Sequence, residues 1–326
     1  MSFACRLLRR GLMAGLLLAA VGLAFAQPGG APIRLLVGFP PGAGSDAIAR
    51  ALADKLKDEL GAPIVVENRA GAGGQLAALA LKTAAPDGRT FLLSHDHTIS
   101  ILPRVTKNPG YDSAADFMPV AGIATFANVL AVSGGTPAAS IEAYVRWVKN
   151  ARHGQDTIGV PAPGSIPVFL VQLVGKKYGI DVQAAPYRGS TPMIADMLGN
   201  QISAAVASVP DFIQYQREGK LRIVAAIGAR RDPLLPAVPT FTELGFENLS
   251  DYPWFGFFAP AGTPRPLIDK FGAALQKVLA MPDVRKQLAD LGLNVAYEPQ
   301  PRFAERVRTY TGVWEKIIHD SGFEPQ

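Results

Sequence analysis

Short apolar runs alternate with helix-period stretches along most of this chain, and that alternation restricts its fold more than any other feature. Runs at 33–39, 64–67, 90–94, 128–132, 157–160, 182–185, 202–207 and 222–227 read as strands. Between them, residues 46–60, 75–84, 141–151, 167–178 and 191–198 read as helices. In the first of these, Ile48, Ala51, Leu52, Leu56 and Leu60 fall on one helical face. Strand–helix–strand repetition predicts an α/β architecture of parallel sheets with helices on both faces. The end of the chain differs. An aromatic run at 254–259 leads into helical stretches at 264–280, 283–291 and 302–319. Thr263-Pro264 opens the first of them, with a capping hydroxyl and a proline suited to a helix start.

Residue number and apolar continuity then suggest two lobes. Some 300 residues exceed what one core usually serves. The apolar segments 120–132 and 252–260 read as crossings between lobes. Tyr252, Trp254, Phe255, Phe257 and Phe258 make the second aromatic, which fits a core strand and hinge better than a binding box.

The first 26 residues stand apart. Arg6, Arg9 and Arg10 precede an apolar run over 11–25, and Ala24-Phe25-Ala26 is a small-x-small cleavage signature. Together they read as a removable signal peptide, too short in its apolar part to be a span of roughly 20 residues. The only cysteine, Cys5, lies inside it, so the expected mature chain has no disulfide, thiol chemistry or cysteine metal site. Losing the three arginines lowers the formal charge from +5 to +2. No basic run remains, so nucleic acid is not an expected partner.

Glycine-rich loops at strand ends carry the chemistry. Gly38 to Ala49 reads GFPPGAGSDAIA, directly after the strand IRLLV. It is no dinucleotide fingerprint, because the third glycine would fall on Ala47, and no Gly-Lys-Ser/Thr follows for a P-loop. Ser45 does not sit in a G-x-S-x-G elbow either. Two readings remain: helix-start amides approachable by an oxyanion, or Ser45 and Asp46 capping their own helix. Similar loops recur at 68–74, 161–167 and 186–192, the last carrying Arg188, whose planar fork suits a carboxylate. His95, Asp96 and His97 form the only compact histidine cluster, without the third ligand or H-E-x-x-H spacing of a zinc site.

Seven dispersed stretches, in order, bear a resemblance over essentially the whole mature chain: GFPPGAGSDAIAR, VVENRAGAGG, APDGRT, YDSAADFMPV, PYRGSTP, VPTFTELG and WFGFFAPAGTP. The chain resembles the Bug (TctC-like) family, the periplasmic solute-binding proteins of tripartite tricarboxylate transporters. The resemblance implies a type II periplasmic binding protein: two α/β lobes, a ligand cleft between them and two hinge crossings. It implies lobe 1 from residues 27–126 plus 255–326 and lobe 2 from 127–254, after a signal peptide at 1–26. It further implies a monomeric, non-enzymatic receptor in the periplasm, without cofactor or metal. Such a receptor closes on a small carboxylate and hands it to membrane permease subunits or a sensor kinase. Carried over by motif, the first ligand loop is Phe39, Pro40, Gly42, Ala43, Gly44, Ser45 and Asp46. The second-lobe loop contributes Pro163, Gly164 and Ser165, and the PY-[KR]-G-S motif is matched by Tyr187, Arg188, Gly189 and Ser190, of which Tyr187 and Arg188 are the expected ligand contacts.

Departures from the family pattern bear on the ligand. Pro167-Val168 replaces a polar stretch, Ala207-Ser208 stands where Asp-Asn is common, and His95 and His97 stand where small polar residues are usual. His95 and His97 therefore join the expected ligand-binding residues. Two other readings remain: a metal-dependent periplasmic enzyme built on His95, Asp96 and His97, or a module that senses a ligand without transporting it.

Overall fold

The computed structural model describes residues 31–246, 249, 252–320 and 323–325; the expected signal peptide at 1–26 lies outside the described residues. The strands are β1 Ile33–Val37, β2 Ile64–Asn68, β3 Thr90–His95, β4 Phe117–Thr125, β5 Asn128–Ser133, β6 Gln155–Val160, β7 Asp181–Pro186, β8 Ala204–Ser208, β9 Leu221–Ala226, β10 Trp254–Pro260 and β11 Asn294–Pro299. The α-helices are α1 Gly44–Leu60, α2 Gln75–Lys82, α3 Leu102–Val105, α4 Ser113–Asp116, α5 Ile141–Ala151, α6 Ile166–Tyr178, α7 Ser190–Leu198, α8 Val209–Arg217, α9 Arg265–Ala280, α10 Pro282–Asp290 and α11 Gln300–Asp320.

Two sheets result, the arrangement of a type II periplasmic binding protein. One has the order β11-β4-β10-β3-β1-β2, the other β7-β6-β8-β5-β9. The first draws strands from both ends of the described chain and the second only from its middle. The expectation of parallel sheets needs correction, since both are mixed. β1 is parallel to β2 and β3, and β6 to β7 and β8, but β10 runs against β3 and β4. β11 runs against β4, and β5 against β8 and β9. A helical crossover forces successive strands parallel. β5 follows β4 with only Phe126 and Ala127 between them, so no helix returns the chain and its direction is free.

Local chemistry explains the helices that flank the cleft. α1 turns Ile48, Ala49, Leu52 and Leu56 into the core and ends at Gly61, which takes the left-handed conformation of a C-cap. Ser140 caps α5 by accepting the Ala143 amide at 3.2 Å, and Ile141, Tyr144, Val145 and Val148 face inward. α11 lies across the first sheet, with Trp254 edge-on to Phe303 at 5.1 Å. It also reaches the second sheet's α6 through Trp314 and Phe169, whose rings are 5.9 Å apart.

Candidate functional site

The carboxyl ends of β1, β3, β6 and β8 converge between the two sheets, where ligands of open α/β sheets sit. A cavity of about 60 Å³ lies there. The first sheet's loops give it Phe39, Ala43, Ser45, His95, Asp96 and His97. The crossings give Phe126 and Phe255, whose rings pack 4.7 Å apart. Across the cleft it meets Asn128, Pro161, Ala162, Ser165, Ile166, Pro167, Ser190, Ser208 and Asp211.

The two sides are in direct contact, so the cleft is closed. Gly44 donates its amide to Asp211 Oδ1 at 3.1 Å, and Thr191 Oγ1 donates to the Pro41 carbonyl at 3.4 Å. A Cβ at Gly44 would stand 2.8 Å from Pro210 Cβ, a separation that real Cβ atoms do not reach. Glycine is what allows the start of α1 to meet the start of α8 so closely.

The histidine loop is shaped by a π-helical turn over His97–Ile101, separated from β3 by Asp96 alone. π-turns of this kind recur at functional sites. His97 donates its backbone amide to His95 Nδ1 at 3.3 Å. Asp96 is buried and accepts the Tyr310 hydroxyl at 3.0 Å, which ties the loop to α11. Thr311 Oγ1 and Ser100 Oγ add a second tie at 2.7 Å. The His97 side chain is only 4% exposed, and neither ring nitrogen has a hydrogen-bond partner. Burial, reinforced by the neighbouring His95, pushes its pKa down to about 3. His97 therefore presents a neutral ring with one donor and one acceptor, both unmet. Gly73 makes room for it: with φ +66°, its missing Cβ would lie 2.7 Å from His97 Nε2.

The first ligand loop is held from within. Asp46 is buried and accepts the Gly42 amide at 3.0 Å, Arg50 Nε at 2.9 Å and Asn68 Nδ2 at 3.0 Å. Burial works to raise its pKa, and the bonds from Arg50, Gly42 and Asn68 together outweigh it and hold the carboxyl below its ordinary value. Across the cleft, Ser165 Oγ donates to the Ala162 carbonyl at 2.7 Å and fixes the loop before α6. Asp211 reaches back over the first turn of α8 to the Ser208 amide at 3.3 Å and hydroxyl at 2.5 Å, one arm of a capping box. Its other oxygen takes Ser190 Oγ at 2.6 Å as well as the Gly44 amide.

Of the residues expected from the sequence, Phe39, Ala43, Ser45, His95, His97 and Ser165 line the cavity. Pro40, Gly42, Gly44, Asp46, Pro163 and Gly164 shape the loops behind it. Tyr187 turns its hydroxyl to Asp196 at 2.7 Å, and Arg188 is exposed to solvent; neither lines the cavity. Ser190, which ends the PY-[KR]-G-S motif, does line it, whereas sequence reasoning missed Phe126, Phe255, Ser208 and Asp211 as cavity residues. For Asp211 a signal existed, since Ser208-x-x-Asp211 is a capping box written in the sequence. Among the described residues, no group of three or more His, Cys, Asp or Glu side chains could hold a metal ion.

Comparison with known proteins places this geometry. The sequence pattern of the tripartite tricarboxylate transporter family receptor matches residues 48–323. The chain is 32% identical to Protein BugT of Bordetella pertussis over 317 residues, covering 91% of this chain and 96% of that protein. Its fold is similar to the periplasmic binding protein BugD, with a TM-score of 0.85 at 29% identity, covering 91% of this chain and 99% of that one. It is also similar to MatC from Rhodopseudomonas palustris with bound malate, with a TM-score of 0.80 at 29% identity, covering 89% and 99%. By sequence and by fold, then, the chain belongs to the TctC family of tripartite tricarboxylate transporter receptors.

Proposed function

We propose that this protein is a periplasmic receptor that captures a small carboxylate by closure of two lobes, 27–126 plus 255–326 against 127–254, and delivers it to a tripartite-type membrane permease. Binding without turnover is its task. The observation that carries this reading is His97: a buried, neutral imidazole on the cavity wall with both nitrogens unmet. A buried polar atom left unpaired costs about 1–3 kcal/mol, which a ligand carrying an acceptor and a donor would recover. A carboxylate supplies the acceptor. The amides of Ser45 at the start of α1 and Ile166 at the start of α6, which have no intrahelical partners, flank the same cavity and favour negative charge. MatC, with malate, makes a carboxylate ligand a natural expectation for a relative of this fold.

Removal of a signal peptide would place the protein outside the cytoplasm. Among the described residues, no helix is long and apolar enough to cross a membrane. The test is a thermal-shift screen of the purified chain against mono-, di- and tricarboxylates, amino acids and neutral solutes. A ligand at a hundredfold excess over its dissociation constant adds about 2.7 kcal/mol of stability. Stabilisation by a carboxylate supports the reading; stabilisation only by neutral solutes overturns it.

A further inference from the structure

Two carboxyl side chains, those of Asp211 and Asp96, line the cavity. Asp211 belongs to the second sheet's side of the cleft, yet its Oδ1 takes the amide of Gly44, the first residue of α1, at 3.1 Å. The same carboxylate is fixed by Ser190 Oγ at 2.6 Å and Ser208 Oγ at 2.5 Å. One of the helix-start amides that could receive an external anion is thus already matched to an internal one. The wall also contains the buried carboxyl of Asp96, which accepts from Tyr310. Against these two acids, no lysine or arginine among the described residues lines the cavity, and His97, which lines it, is held neutral by burial. The remaining surface is a run of rings. Phe39 and His95 lie 5.0 Å apart, His95 and Phe255 5.5 Å, and Phe255 and Phe126 4.7 Å.

Resting on the carboxylate reading above, we infer that this site takes a monocarboxylate with a compact apolar or aromatic body and rejects dicarboxylates, and that Asp211 is the residue setting this preference. One carboxylate finds unmet donors at His97 and at the amides of Ser45 and Ile166. The body of the ligand then packs against the ring wall. A second carboxylate would lie beside Asp211 in the closed cleft, with no lysine or arginine among the described lining residues to offset the repulsion. The departure at Ala207-Ser208, where the capping-box serine positions Asp211, is the sequence mark of this arrangement.

The experiment is calorimetric titration of the full mature chain with matched acids: butyrate against succinate, 3-hydroxybutyrate against malate, and benzoate against terephthalate. At least one monoacid binds about tenfold or more tightly than its diacid partner. Asp211→Asn, which keeps the shape and removes the charge, narrows that ratio chiefly by strengthening the diacid. If Asp211→Asn does not fold, Asp211→Ser, which retains a capping hydroxyl, serves in its place. Diacids that match or exceed their monoacid partners in the wild-type protein overturn the inference, whatever the variants do. A wild-type preference for monoacids that survives both variants unchanged overturns the role of Asp211. If neither class binds while neutral solutes do, the carboxylate reading itself is what fails.

Discussion

The backbone amide of Phe126 donates to the carbonyl of Pro253 at 3.1 Å, so the two crossings between the sheets are hydrogen-bonded to each other. The same two segments give the cavity the Phe126 and Phe255 rings. Hinge and cavity wall are therefore one structure, and a change in ring packing is felt at both. Phe126→Ala removes a side chain that is 5% exposed and should cost about 3–5 kcal/mol of stability. Chemical denaturation measures that loss, and titration with the best ligand should show weaker binding in parallel. Unchanged stability would mean the ring is not part of the core.

Gly44 should matter for closure more than for folding. Its backbone is not in the left-handed region, and alanine is the better helix former by up to about 1 kcal/mol. Yet the added methyl would meet Pro210 at 2.8 Å across the cleft. Gly44→Ala is expected to melt at the wild-type temperature or above it without ligand. Its affinity should fall about tenfold or more, because the closed form becomes a minor population. Small-angle scattering should show a more extended molecule in the presence of ligand. Wild-type affinity would refute the idea that this contact limits closure.

His97 should make stability depend on pH. It titrates near 6.5 in the unfolded chain but only near 3 when folded, so the unfolded state takes up the proton first. Stability is therefore unaffected above the unfolded value and is lost as pH falls from about 6.5 toward 3, by about 1.4 kcal/mol per pH unit. Between pH 7 and pH 5 the wild-type protein should lose about 2 kcal/mol more than His97→Gln. Urea midpoints at the two pH values give the comparison. Identical losses in both proteins would show that His97 is not the group responsible.

Tyr310→Phe tests the tie between α11 and the histidine loop. It leaves the buried Asp96 carboxylate without the hydroxyl that now donates to it at 3.0 Å. The expected cost is about 1–3 kcal/mol, read by chemical denaturation. A variant as stable as wild type would mean that water or another group satisfies Asp96.

The strongest local signals in the sequence survived into the fold, and the tertiary ones did not. Ile141–Ala151 is the helix expected from its periodicity, because a capping serine and a clean inward face define both ends. β4 was hidden inside the apolar segment read as a crossing. Only Phe126 and Ala127 separate β4 from β5, both apolar, with no glycine or proline between the strands to mark the change. β11 is an edge strand with alternating half-exposed residues, so its pattern is weak. Loop chemistry at Ser45, His97 and Ser165 was visible because glycine and polar residues cluster at strand ends. The approach of Asp211 to Gly44 was not, since it joins positions 167 residues apart through lobe closure alone.

The place of β10 has a consequence for how the chain assembles. It lies between β3 and β4, yet it begins at Trp254, after the whole of the second sheet has been made. As the polypeptide emerges from its amino end, β5 to β9 form a continuous block that can pair locally. The first sheet must wait with a gap in its middle until that strand arrives. Closing so distant a pairing is slow, because the entropy of a long loop is lost before any contact rewards it. The second sheet should therefore gain amide-exchange protection first, and the cleft should become competent only after the strand that carries Phe255 has been threaded into place.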